Sequence, residues 1–512
     1  MNYNLKRTSL LLLSVMSTVT VLSACAKSES PPSTTPSKES SPVATTAVKL
    51  EPVKLKWVLR STPQKDQQLV QDEMNKILKE KINAEVELIF IDPGAPYDQK
   101  VKTMIAADEY YDIMFTGGPL VYGDFYGSVT KGAFLPITDL IKKYAPKTYA
   151  QIPESFWKSV TVKGQMYGVP NYQIVARQNG IIAQKNIADK YNFDISKITK
   201  FEELEPLLVK IRDGEPKTKI PFTLDKLGVW NNTLTYYGLE PVGASNTVGM
   251  TKIDDANGKV INQYADPAFK QHITMLNDWF KKGLINKDAA TLPAALTTYT
   301  KAGNTMTGWS NWKPGGDADG KALNNGNDVI YKILDKPFVT NENVSTTLQA
   351  INKKSKNPER AMMLIELMNT DKQLYNLITF GIQDKHYKKL SDNRIELVKD
   401  SAYYPNKAWA FGNQFNAYLQ PGQDDNVWQQ TIDLNAKATS SKLLGFVFDQ
   451  EPVKTEIAQC QSVFDEFLPG LWTGFVDPDK FLPEFLAKLQ TAGADKIIAE
   501  KQKQLDAWKA GK

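Results

Sequence analysis

The chemistry this chain offers most often is tryptophan set among amides and glycines. Trp309 and Trp312 lie in Gly308-Trp309-Ser310-Asn311-Trp312-Lys313-Pro314-Gly315-Gly316. Trp230 stands beside Asn231 and Asn232, near Tyr236 and Tyr237, and Trp409 begins Trp409-Ala410-Phe411-Gly412-Asn413. Tyr172 follows Asn171. A flat apolar ring bordered by Asn, Asp, Gln or Arg suits a ligand with an apolar face and a hydroxylated edge, which is how a sugar ring is built. A tryptophan at such a corner can equally cap the core, so for each one that structural role stands beside the binding role. Trp57, Trp279 and Trp508 read as core.

Other chemistry is poorly supplied. The two cysteines, Cys25 and Cys460, and the two histidines, His272 and His386, have no metal-ligand spacing, so no metal site is expected. Asp317-Ala318-Asp319-Gly320 and Asp254-Asp255-Ala256-Asn257-Gly258 faintly resemble calcium loops. Both have glycine at the wrong position and lack the later bidentate Glu, and the second reads better as a hairpin turn. No Gly-x-Ser-x-Gly elbow occurs, and no carboxylate pair stands in a recognisable catalytic setting. No catalytic residue and no cofactor is therefore assigned. A net charge of +5 spread over 512 residues gives no nucleic-acid footprint.

Cys25 has a chemistry of its own. Lys6 and Arg7 precede an uncharged apolar run of Leu10 to Leu13, Val15, Met16, Val19, Val21 and Leu22, and Leu22-Ser23-Ala24 leads into the cysteine. This order predicts a secretory signal over residues 1–24. The run is short for a membrane-spanning helix, which needs ~20 apolar residues. A cysteine at the cut resembles the lipobox of bacterial lipoproteins, which implies a lipid on the Cys25 thiol; an ordinary signal peptide that happens to hold a cysteine is the alternative. Residues 25–50 are rich in Ser, Thr, Pro, Ala and Lys, including Pro31, Pro32, Pro36 and Pro42, and predict a disordered, semi-extended tether. With Cys25 acylated, Cys460 has no disulfide partner, so the folded body must rest on its core.

The remaining chain is well past the ~250–300 residues at which single cores usually split, so two lobes are expected. Val53, Leu55, Trp57 and Leu59 alternate as a strand, and Val70, Met74, Ile77 and Leu78 fall on one helix face. Val86, Leu88 and Phe90 form a second strand, Tyr97, Val101, Met104 and Ile105 a second helix, and Ile113-Met114-Phe115 a third strand. A β-α-β-α-β unit of this kind predicts a parallel, doubly wound sheet. In such sheets ligands sit beyond the carboxyl ends of the strands. That points to Arg60 after the first strand, and to Thr116 and Gly117 after the third, where glycine lets a ligand approach the backbone. A plain turn is the other reading of Thr116-Gly117-Gly118. Lys163-Gly164 and Asn257-Gly258 predict hairpins, and the C-terminus reads as helical, with Leu482, Leu486 and Leu489 on one face and Ile498, Leu505 and Trp508 on the next.

In this order the chain resembles the family 1 extracellular solute-binding proteins, the binding components of ABC importers, many of them for sugars. Beyond the opening β-α-β-α-β, the residues that carry the likeness are Gly132-Ala133-Phe134-Leu135-Pro136-Ile137, Gly164-Gln165-Met166-Tyr167-Gly168-Val169-Pro170 and Asn357-Pro358-Glu359-Arg360-Ala361. Gly445-Phe446-Val447-Phe448-Asp449, Val453-Lys454-Thr455-Glu456-Ile457-Ala458 and Gly474-Phe475-Val476-Asp477-Pro478 resemble the tail domain of one lipoprotein branch. The resemblance implies an α/β, periplasmic-binding-protein-like fold: two doubly wound lobes joined by a hinge, with the ligand cleft between them. It implies crossings near Val169–Gln173, near Pro337–Val344 and within Phe380–Ala410. Residues 51–168 and 338–385 would form lobe 1, and 173–336 and 400–512 lobe 2 with the tail. It also implies a lipid-anchored monomer outside the cell, touching the membrane through the lipid alone. Its partners would be a small-molecule ligand, an oligosaccharide, and the ABC permease subunits that receive it. The expected ligand-binding set is Arg60, Thr116, Gly117, Tyr172, Trp230, Trp309, Trp312, Trp409 and Asn413. A peptide or amino acid bound on the same fold stays open, since Arg60 and Arg177 can pair with a carboxylate. An extracellular glycan-acting enzyme is the remaining alternative.

Overall fold

The computed structural model describes residues 50–118 and 122–511; the expected signal peptide, Cys25 and all but the last residue of the tether lie outside them. The chain opens as β1 (Val53–Arg60), α1 (Gln67–Ile82), β2 (Ala84–Ile91), α2 (Ala95–Ala106) and β3 (Ile113–Thr116), the β-α-β-α-β expected from its periodicity. Helix α1 buries Val70, Met74, Leu78 and Ile82 on one face. It stops at Asn83, which adopts a left-handed φ of 44° and donates its N–H back to the Leu78 and Lys79 carbonyls. After α3 (Phe125–Thr130), Thr161–Val162 and Gln165–Met166 pair antiparallel across Lys163 and Gly164. Both turn residues have positive φ, the geometry that a two-residue hairpin demands.

The chain continues through β4 (Val169–Pro170), β5 (Gln178–Gln184), β6 (Ile220–Phe222), β7 (Thr305–Trp312), α4 (Gly316–Leu323), β8 (Val329–Ile333), β9 (Phe338–Val339), β10 (Leu348–Ile351), α5 (Val427–Lys437) and β11 (Thr439–Ser440). One sheet runs β2-β1-β3-β10-β4. Strands β2, β1 and β3 are parallel, while β10 returns antiparallel to β3. The second sheet runs β8-β5-β7-β6 and is mostly antiparallel, with only β6 and β7 parallel. Strand β5 is antiparallel to both β7 and β8, and α4 carries the chain between those two, which flank β5.

Three buried cores follow from this arrangement. The first sheet's core holds Leu55, Trp57, Met74, Tyr97, Phe115 and Phe134. The second sheet packs Ile181, Phe201, Leu207, Phe222 and Trp279. A third core is built from the C-terminal helices α6 (Lys454–Trp472), α7 (Pro478–Thr491) and α8 (Ala494–Ala510) closing over Trp230, Phe269 and Tyr264. Cys460 lies in this core, 1% exposed, with Sγ 3.8 Å from the Ala492 carbonyl oxygen.

Three stretches of chain run side by side between the sheets. Arg177 and Phe338 exchange N–H and C=O bonds at 3.0 and 3.1 Å, and β9 pairs in parallel with β11. Asn435 holds the first stretch from α5, its Oδ1 accepting from the Val175 and Ala176 N–H groups. The third stretch departs from expectation. It lies at 439–441 rather than within 380–410, and Tyr403, Ala410, Phe411 and Ala417 pack in the first sheet's core rather than with the second. Buried contacts explain this. Gln349 of β10 accepts from the Trp57 indole at 2.9 Å and donates to the Ala410 carbonyl at 2.8 Å, so this segment is fastened to the first sheet.

Candidate functional site

Strands β1 and β3 end side by side, and the residues at their carboxyl ends form a basin of rings and cations. Arg60, the last residue of β1, sets its guanidinium 4.4 Å over the Tyr122 ring. Tyr122 leans on Phe115 of β3 at 6.0 Å, and Trp409 meets the same Phe115 edge-on at 6.1 Å. Lys407 sits over the Trp409 ring at 5.3 Å. Burial, reinforced by the Arg60 charge, holds the Lys407 ammonium below its usual pKa.

The basin contains polar atoms with nothing to bond. Arg60 Nε, Ser61 Oγ and Thr116 Oγ1 are buried without a hydrogen-bond partner among the described residues, as is Asn171 Nδ2 beside β4. Buried polar groups are normally satisfied, so a cluster of orphans at the strand ends marks where a polar ligand or water belongs. The second sheet presents Trp309 and Trp312 from β7. The loop after β7 brings Gly315 against Val427: a Cβ on the glycine would stand 2.9 Å from Val427 Cγ2. Asp319, in the first turn of α4, adds to the burial that raises the Tyr404 hydroxyl pKa, three residues before Lys407. The Trp312 end of the second sheet thus adjoins the Trp409 segment of the first.

The expected site residues therefore separate. Arg60, Thr116 and Trp409 come together. Trp312 is half-buried at the end of β7. Trp309 is half-buried too, but packs on Phe201 at 4.8 Å and Tyr236 at 5.5 Å, and its indole donates to the Asn232 carbonyl at 3.1 Å. Tyr172 is largely buried, edge-on to Phe415 at 4.8 Å. Three expectations are corrected. Trp230 is 0% exposed, with Phe269 4.9 Å and Tyr237 5.3 Å away, and no face is left for a ligand. Asn413 spends its Oδ1 on the Phe415 N–H at 3.0 Å as a local cap and is buried. Gly117 has no room on the side where a Cβ would stand, because the Thr346 carbonyl oxygen lies 2.1 Å from that point; the close approach is made by the chain's own backbone. Ser61 belongs to the loop after β1 that the sequence singles out; Tyr122 and Lys407 were missed, because they declare themselves only by proximity.

A second recess, of about 920 Å³, lies beside the crossing stretches and is lined by Tyr126, Glu240, Glu342, Phe446 and Trp508. Two of its carboxylates lie deep: Glu240 is 3% exposed, and Glu342 accepts from Ser245 Oγ at 3.0 Å. No group of three His, Cys, Asp or Glu able to hold a metal occurs among the described residues. The two acidic loops are occupied otherwise. Asp255 accepts from the Asn257 and Lys259 N–H groups at 2.8 Å each, and Asp319 pairs with Lys313 at 2.7 Å.

A two-sheet α/β body with crossing strands and a basin at its strand ends defines a binding protein of the solute-capturing kind. Residues 60–374 match the model of the bacterial extracellular solute-binding proteins, and the chain belongs to that family. Residues 442–510 match a domain of unknown function, DUF3502. A carbohydrate ABC transporter substrate-binding protein of Streptococcus pneumoniae is 30% identical over 449 residues, 85% of this chain and 86% of that one. Lipoprotein LipO of Bacillus subtilis is 23% identical over 236 residues, 43% of this chain and 42% of its own. Among solved structures, the N-glycan transport solute-binding protein NgtS of S. pneumoniae superposes with a TM-score of 0.79 at 26% identity, over 89% of this chain and 98% of that one. Its complex with Man5GlcNAc gives 0.69.

Proposed function

We propose that this protein is the extracellular binding component of an ABC importer, capturing an oligosaccharide between its two sheets and handing it to membrane permease subunits without bond chemistry. The observation that carries this is the strand-end basin, where the rings of Tyr122 and Trp409 frame Arg60 and unpartnered hydroxyls. Rings supply the apolar platform and the orphan polar groups supply hydrogen bonds in the plane. The carbohydrate-binding relatives in the same family support the sugar over a peptide. The lobes of this reading are residues 51–170 with 340–438, and 178–336 with 442–511. Arg60, Trp312 and Trp409 remain its ligand-facing set, with the buried Thr116 hydroxyl behind them. Cys25 would carry the lipid that holds a monomer at the outer face of the membrane.

A panel of oligosaccharides, followed by tryptophan fluorescence and melting temperature, tests the reading. The true ligand should quench fluorescence and stabilise the fold by about 2.7 kcal/mol at a hundredfold excess over Kd. Trp409→Ala should weaken that ligand tenfold or more. A peptide shifting the melting temperature where no sugar does would replace the oligosaccharide, and sugar cleaved by pure protein would replace the importer. Cys25→Ala should release the protein from the cell to the medium with ligand affinity intact; retention at the membrane would remove the anchor.

A further inference from the structure

We infer that the captured oligosaccharide is acidic, and that Arg60 and Lys407 recognise its anionic group. This rests on the sugar-binding reading and specifies the substrate class of the same basin. The Arg60 guanidinium lies over Tyr122 at 4.4 Å and the Lys407 ammonium over Trp409 at 5.3 Å, and those two rings stand 6.0 and 6.1 Å from the shared Phe115. Neither cation has an ion pair within 4.0 Å among the described residues, whereas the partly buried Lys252 and Arg394 each have one.

The acidic side chains around them are engaged or out of reach. Asp66, on the loop after β1, is bound to Lys385 at 3.1 Å and His386 at 3.1 Å. Asp319 is held by Lys313. Asp98, whose Oδ1 is buried without a hydrogen-bond partner, shares Tyr97 as a neighbour with Arg60 but lies beyond ion-pair distance of it. Two like charges brought together and partly stripped of water are unfavourable by themselves. The arrangement makes sense when a third, negative group arrives. Arg60 offers a planar fork suited to two oxygens of a carboxylate or sulfate, and its Nε is already buried without a partner. The rings beneath the two cations keep them in place and leave a platform for the sugar carrying the charge.

A uronate or sialate carboxylate and a sulfate ester share this chemistry, so matched pairs separate the sources. The pairs are a sialylated N-glycan and its desialylated form, a chondroitin tetrasaccharide and its carboxyl-reduced form, and a sulfated chondroitin tetrasaccharide and its desulfated form. Titration calorimetry at 20 mM and 500 mM NaCl reads each pair. In at least one pair the acidic member should bind tenfold or more tighter at low salt, with the gap narrowing at high salt. Arg60→Gln and Lys407→Gln should each reduce that gap to threefold or less, while Lys407→Arg keeps it; melting temperatures of the free variants separate this from misfolding. An acidic member that is not tighter in any pair overturns the inference. If neutral sugars bind in that case, the oligosaccharide reading stands. If an acidic dipeptide binds and no sugar does, both fall.

Discussion

Glu240 shows how much a single side chain reports about its surroundings. It is 3% exposed, on the strand Leu239–Pro241, and burial lifts its carboxyl to about 7 even though the Ser441 hydroxyl and Lys442 ammonium nearby favour the charged form. Its folded pKa stands above the unfolded value, so the folded state binds the extra proton between about pH 4.5 and 7. Stability from this group is complete below pH 4.5 and is lost as pH rises through 7. Glu240→Gln removes the titration while keeping a donor and an acceptor for Ser441. Melting curves should show the variant and the parent alike at pH 4, with the variant more stable at pH 8 by something on the order of 2 kcal/mol. A difference that does not depend on pH would mean Glu240 is solvated in the native state.

At the scale of elements, the exit of β3 is where expectation and packing disagree most usefully. Thr116-Gly117-Gly118 ends a strand where ligands gather, but the backbone of Thr346 occupies the place a Cβ of Gly117 would need, with its carbonyl carbon at 2.7 Å and its oxygen at 2.1 Å. The glycine therefore lets the approach to β10 pass close to β3, and the Gly118 N–H donates to the Ser345 carbonyl at 2.7 Å. Gly117→Ala should destabilise the fold by about 2 kcal/mol or more in urea unfolding, because backbone rather than a flexible side chain must yield. A neutral result would return Gly117 to the ligand. The elements themselves were legible where their signals are local: β1 and α1 each repeat an apolar spacing over eight or more residues. Trp230 was misread because its helix, Trp230–Thr233, is a single turn, too short to show a period, and its neighbours Asn231 and Asn232 look like binding groups. Lys407 and Arg60 lie more than three hundred residues apart, and no pattern along the chain links them.

For the whole molecule, the segment expected to cross last, within 380–410, packs in the first sheet's core, and the pairing at 439–441 lies about thirty residues further on. The cause is the long stretch before α5, whose burial on the first sheet runs through Tyr387, Tyr403 and Phe411. Resemblance gives the order of segments, while their partition between cores depends on which aromatic residues find room. The three crossings are short, and those at β9 and β11 are two residues each, so rotation of one half against the other need disturb few hydrogen bonds. The recess walled by Tyr126 on one side and by Phe446 and Trp508 on the other would change volume in that motion.

Cys460 gives the folded protein a clock. Its thiol is 1% exposed, raised to about 11 by burial, and wedged between α6 and the end of α7 in the C-terminal core. Once Cys25 carries a lipid or is replaced by serine, it is the chain's one free thiol. Thiolate reagents can reach it only when those helices part, so the rate of labelling at pH 8 measures how often they do. With Cys25→Ser, Ellman's reagent should react with the native protein at least a hundredfold more slowly than with the chain in guanidinium. If a bound sugar slows the reaction further, the tail opens together with the cleft; if labelling is indifferent to sugar, the C-terminal core breathes by itself. A prompt stoichiometric reaction in buffer would show that this core is not closed.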